Sequence, residues 1–133
     1  MSSESNRRIV EQYWAAMNTN DFQAASEWLH EDFILDWPQS GERIYGRENF
    51  ATINEQYPAA GLWRFTINRL VADEQSVVTD VSVTDGETVA IAITFSEIRD
   101  GKIIRQTEYW PDPFPAPAWR APFVEIYQPT GGE

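Results

Sequence analysis

Apolar side chains at Ile9, Val10, Tyr13, Trp14 and Met17 return at the spacing of one helical face, with Glu11, Gln12 and Asn18 between them. That period predicts a first helix over about residues 4–18. Phe22, Ala25, Trp28 and Leu29 form the next stripe, and Asn20 followed by Gln23 has the character of a capping box, so a short second helix is expected. His30 would sit at its C-terminal end, where a positive charge suits the helix dipole. Residues 32–37 are rich in aromatic and β-branched side chains and predict a strand ended by Pro38 and Gly41. After Gly46, the spacing of Phe50, Ile53 and Tyr57 predicts a third helix that Pro58 and Gly61 stop.

From Leu62 the period becomes two. Trp63, Phe65 and Ile67 alternate with polar residues, then Val77, Thr79, Val81 and Val83, then Val89, Ile91, Ile93 and Phe95. Antiparallel strands follow from this pattern, and Asp85-Gly86 and Asp100-Gly101 sit between runs where tight hairpins are expected. A last strand runs from Lys102 to about Trp110. Beyond it, prolines from Pro111 to Pro122 enforce an extended conformation, and Phe114, Trp119 and Phe123 are expected either to close a pocket mouth or to clasp a partner subunit. Helices followed by a curled, mainly antiparallel sheet make an α+β layout, with three N-terminal helices packed on one face.

Composition narrows the function. A chain of 133 residues fits one domain over 1–133, with a Pro-rich extension over about 111–133. Ten Lys plus Arg against 21 Asp plus Glu give a net charge of −11, which repels phosphate backbones and anionic membranes. No nucleic-acid or membrane partner is therefore expected. Without cysteine and with one histidine, the chain lacks the parts for a thiolate metal site, a zinc site or a nucleophilic triad, and neither metal nor cofactor is expected. Residues 1–8 lack the apolar stretch of a signal peptide, so the expected address is cytoplasmic. Six tryptophans exceed what a small core needs, and a flat apolar slot for a ring-bearing ligand would use the surplus.

The stretch Val10-Glu-Gln-Tyr-Trp-Ala-Ala-Met-Asn-Thr-Asn-Asp21, followed by Asp32-Phe33, resembles the SnoaL-like branch of the nuclear transport factor 2-like superfamily, and so does the order of elements. The resemblance covers the chain to about Asp112. It implies a cystatin-like conical α+β fold around an apolar pocket and a homodimer through the outer sheet face. Its members include ketosteroid isomerases, limonene-type epoxide hydrolases, polyketide cyclases and non-catalytic proteins, and the fold alone does not choose among them.

The resemblance also implies candidates for chemistry. Gly101-Lys-Ile-Ile-Arg-Gln-Thr-Glu-Tyr-Trp110 is similar to a last-strand pattern whose acid points inward in the epoxide hydrolases, and here that acid is Glu108. By parity Ile104, Gln106 and Trp110 should share its wall, with Arg105, Thr107 and Tyr109 opposite. Asp80 stands near the second hydrolase carboxylate, although Val78 replaces the arginine two residues before it. Asp36 lies in the region of a water-orienting amide or a general base, while the isomerase base position itself falls on Trp37. Tyr13 matches an isomerase tyrosine that donates to a developing enolate, and the second donor of that pair falls near Thr94.

The expected catalytic set is thus Glu108, Asp80, Asp36 and Tyr13, and the expected ligand contacts are Met17, Trp37, Trp63, Gln106 and Trp110. Cofactor-free acid/base isomerisation, cyclisation or hydration of a hydrophobic, cyclic molecule is one reading. A non-catalytic binding or dimerisation module is the other.

Overall fold

The computed structural model describes residues 2–129; Met1 and the last four residues of the expected extension lie outside the described residues. Helix α1 (Ser3–Met17) starts at Ser2, whose side chain accepts the Ser5 N–H, and it buries Val10, Tyr13, Trp14 and Met17, the face set by the apolar period. Helix α2 (Phe22–Ser26) is shorter than its stripe suggested. Its cap is Asp21, which accepts the Ala24 N–H at 3.0 Å, and not Asn20, which takes a left-handed φ of 61° and commits its amide to the sheet.

Strand β1 (Leu29–Trp37) takes over residues expected in the helix. Leu29 pairs with Ile103, and the Ile103 N–H donates to the Trp28 carbonyl, so pairing across the sheet outweighs a short helical stripe and leaves a helix of five residues. His30 is therefore a strand residue and caps no helix. Its Nδ1 accepts the Asp32 N–H at 3.0 Å, and its Nε2 lies 3.6 Å from the Asp100 carboxylate. Strand β2 (Glu42–Tyr45), which no pattern announced, forms a hairpin with β1, and helix α3 (Gly46–Gln56) follows as expected.

Strands β3 (Arg64–Ala72), β4 (Ser76–Thr84), β5 (Val89–Arg99) and β6 (Lys102–Tyr109) complete a six-stranded sheet of order β2-β1-β6-β5-β4-β3. All neighbours are antiparallel except β1 and β6. Asp100 and Gly101, at φ 54° and 75°, form the two-residue turn between β5 and β6, a left-handed pair that matches strand twist. Register shifts near Asn68 in β3, in β1 between Leu29 and Ile34, and near Ile104 in β6 bend the sheet. Helix α1 lies across β3 and β4, and α3 against β1, which covers the inner face.

On β4 the inward side chains are Val77, Thr79, Val81 and Val83, as the alternation predicts. On β5 the reading reverses. The buried positions are the small Ala92, Thr94 and Ser96, while Val89 and Phe95 are exposed, so the large alternating side chains mark the outer face. After β6 the described residues form no helix or strand apart from a 3-10 helix, Ala118–Phe123. Phe114, Trp119 and Phe123 are 76%, 73% and 80% exposed, so the tail does not close a pocket mouth on its own chain. No helix among the described residues is long and apolar enough to cross a membrane.

Candidate functional site

A cavity of about 370 Å³ opens between α1, α3 and the concave sheet face. Its floor consists of side chains buried by the helical and strand periods, among them Tyr13 and Met17 from α1, Phe50 from α3, Leu35 from β1 and Val83 from β4. Trp37, Trp63 and Trp110 stand around them, and the mouth is polar, with Gln39, Glu42 and Asp112. Four of the six tryptophans line this space.

Glu108 enters the cavity from β6 and is only 6% exposed. Its two oxygens are held separately. Trp37 Nε1 donates to Oε1 at 3.0 Å, and Thr94 Oγ1, on the facing residue of β5, donates to Oε2 at 2.6 Å. Burial in apolar surroundings pushes the carboxyl above the usual carboxylate range, while hydrogen bonds from Thr94, Trp37 and Trp110 pull it back part of the way. The position of Trp37 follows from strand alternation. Phe33, Leu35 and Trp37 face inward, so the residue at the isomerase base position supplies a donor and not a base.

Tyr13 is 1% exposed and lines the same cavity. Burial, reinforced by the nearby Glu108 carboxylate, raises its hydroxyl well above the usual tyrosine value, against a hydrogen bond with Gln106. It therefore keeps its proton at any ordinary pH and can act only as a neutral hydrogen-bonding group. Trp14, whose side chain also lines the cavity, has a buried Nε1–H without a hydrogen-bond partner.

The other sequence candidates are elsewhere. Asp36 lies on the outer face of β1, where Arg43 chelates it at 2.6 and 3.0 Å and Arg105 joins it, and those pairs hold its carboxyl below the usual range. Asp80 lies on the outer face of β4, paired with Arg69 at 2.8 Å and reached by Asn68. Neither lines the cavity. Gln106 points inward but is fully buried below the cavity wall, where its Nε2 donates to Ser96 at 3.3 Å. Ile104 does not share Glu108's wall either: the register shift between Glu97 and Ile98 exchanges it for Ile103, which is the buried residue. Met17, Trp37, Trp63 and Trp110 do line the cavity.

Sequence reasoning passed over several wall residues. Phe50, Ile53 and Tyr57 were legible as a helical stripe but not as cavity wall, because an apolar stripe looks the same over a core and over a void. Thr94, read only as the place of a missing donor, holds the acid. The loop residues Gln39, Ser40 and Thr88, and Glu42 at the start of the short strand β2, carry no periodic signal at all.

Trp63 owes its place to two asparagines. Asn20 offers both amide atoms to the Trp63 backbone, at 2.7 and 2.8 Å, and Asn18 does the same for Phe65, at 2.8 and 2.7 Å. Two residues apart, just before and within the edge strand β3, these contacts imitate a neighbouring strand and fix the end of α1 to the sheet.

The sequence profile of the SnoaL-like domain family matches residues 10–106. A protein from Kribbella flavida DSM 17836, provisionally called a ketosteroid isomerase, is similar in structure with a TM-score of 0.89 and 30% identity, over 98% of this chain and 96% of its own. A nuclear transport factor 2-like protein of unknown function from Burkholderia xenovorans LB400 gives 0.78 and 33%, over 96% and 99%. An epoxide hydrolase from M. tuberculosis shares the fold at 0.68 and 23%, over 82% and 84%. Comparison with curated protein sequences gives no match.

Proposed function

The chain belongs to the SnoaL-like domain family, and on that premise we propose that it binds a hydrophobic, ring-bearing small molecule in the cavity and moves a proton on it through Glu108, without a cofactor. One observation carries the reading: a single carboxylic acid, nearly sealed from water, is held by donors on both oxygens at the wall of an aromatic cavity. An acid raised by burial lies closer to the pH at which a proton can be both taken and returned, as isomerisation and cyclisation require. The Tyr13 hydroxyl would donate to the substrate oxygen on which charge develops.

A second reading, binding without catalysis, is favoured by one observation. Asp36 and Asp80 are committed to arginines on the outer face, so Glu108 has no second carboxylate inside, and hydration by a positioned water is the least supported of the reactions. The proposal also includes cytoplasmic residence and a homodimer through the outer sheet face, where Val71, Val89 and Phe95 are exposed.

Native mass spectrometry of the purified protein identifies the ligand it carries, and that compound is then assayed with Glu108→Gln. Expected is turnover lower by at least about 100-fold at saturating ligand. Unchanged turnover removes Glu108 from the chemistry, and no turnover by wild type leaves the binding reading.

A further inference from the structure

The charged residues lining the cavity are all of one sign. Glu108 lies inside, Glu42 and Asp112 stand at the mouth, and no Lys, Arg or His is among the lining residues. The nearest arginines in the local sequence are turned away: Arg105, three residues before Glu108, and Arg43, next to Glu42, both bind Asp36 on the opposite face of the sheet. Glu108 is thus buried with neutral donors only, the Trp37 indole and the Thr94 hydroxyl.

A carboxylate in such a place lacks a counter-charge. Two solutions exist, a proton or a cation delivered by the ligand. The remaining wall suits the second. Eight of the lining side chains are aromatic, and Trp37, Trp63, Trp110 and Tyr57 surround the part of the cavity near its mouth, with Trp63 and Tyr57 packed edge to face at 6.0 Å. Ring faces attract cations and are indifferent or unfavourable to anions. The net charge of −11 adds a field that draws cations toward the opening and repels anions.

We propose that the ligand is an organic cation: a hydrophobic molecule bearing an ammonium group that seats against Glu108 inside the ring of aromatic side chains. This rests on the ligand-pocket reading above and holds whether or not Glu108 also moves a proton. It assigns the acids at the mouth to attraction of the incoming ligand, and the inner acid to the charge pair that selects it.

The test uses three probes with one hydrocarbon cage and different heads: 1-adamantylamine, 1-adamantanol and 1-adamantanecarboxylate. Their affinities are measured at neutral pH and low salt by calorimetry and tryptophan fluorescence, on wild type and on Glu108→Gln. Expected in wild type is an amine affinity at least about tenfold above the alcohol, with the carboxylate weakest. In Glu108→Gln the advantage of the amine over the alcohol should fall to about threefold or less, the part that the rings alone supply.

Alcohol binding as tight as the amine overturns the cation assignment and leaves the pocket reading in place. A carboxylate that binds tightest overturns it equally. Failure of all three probes to bind removes both the assignment and the ligand-pocket reading on which it rests. The wild-type ratio decides the matter even if Glu108→Gln fails to fold.

Discussion

Glu108 and Asp36 are titratable groups with opposite linkage to stability. Burial holds the Glu108 carboxyl above its ordinary range, so the folded chain keeps a proton that the unfolded chain has released. Its favourable contribution is complete below the unfolded-state pKa and is lost as pH rises through the folded one. Glutamine can accept from Trp37 and donate to Thr94 without a charge, so Glu108→Gln should melt above wild type at pH 8, with the gap closing toward pH 4. A melting temperature below wild type at pH 8, by more than at pH 4, would show that the cavity prefers the anion. Asp36 is the reverse case: Arg43 first, then Arg105, depress its carboxyl, and that stability is present above the unfolded-state pKa and lost as pH falls through the folded one. Because the arginines are 44% and 40% exposed, Asp36→Asn should cost only about 1 kcal/mol at pH 7, and nothing at a pH acid enough to protonate Asp36 in the folded chain. Chemical denaturation at the two pH values measures this, and ligand affinity should not change. The outward placement of Asp36 and Asp80 was legible in the sequence. Both have even numbers on strands whose buried positions, Phe33 and Leu35 or Val77 and Val81, are odd.

Element boundaries were decided by pairing partners. Leu29 and His30 joined β1 because β6 offered a parallel neighbour, and β2 exists because Glu42–Tyr45 closes a hairpin on β1. The shift at Ile104 has the same origin, since a bulge depends on which strand lies alongside and not on its own composition. Asn18 and Asn20 show the opposite relation, in which side chains supply what a missing strand would have given the β3 edge. Asn18→Ala would strip the Phe65 N–H and C=O of their partners, and a loss of about 1–3 kcal/mol in urea denaturation is expected. The same change should loosen the neighbouring Trp63 wall and weaken ligand binding, whereas a purely local effect would leave affinity intact.

The whole molecule separates two kinds of apolar surface. Inside, apolar and aromatic side chains line the cavity; outside, Val71, Val89, Phe95 and Tyr109 face solvent, with Phe95 and Tyr109 packed edge to face at 6.2 Å. Apolar side chains exposed on a sheet face are what the proposed homodimer would cover. The proposed homodimer should appear in light scattering at twice the 15.3 kDa chain mass, and Phe95→Glu should convert it to the monomer while leaving the cavity unaltered. A monomer at all concentrations in wild type would refute the dimer and leave the ligand site untouched.

By itself, the sequence determined the layers. Periods of 3.6 and 2 carried the helices, most of the strands and the hairpin at Asp100-Gly101, because each depends on neighbours a few positions away. It also determined that Glu108 would share a face with Gln106 and Trp110, since alternation survives wherever a strand is regular. Only the tertiary structure decided that Trp37 and Thr94 would converge on that acid, that Asp36 and Asp80 would pair outward with arginines, and that a cavity and not a filled core would lie beside Glu108. Those outcomes depend on distances between residues far apart in the chain, and burial pattern along a single segment contains no such distances.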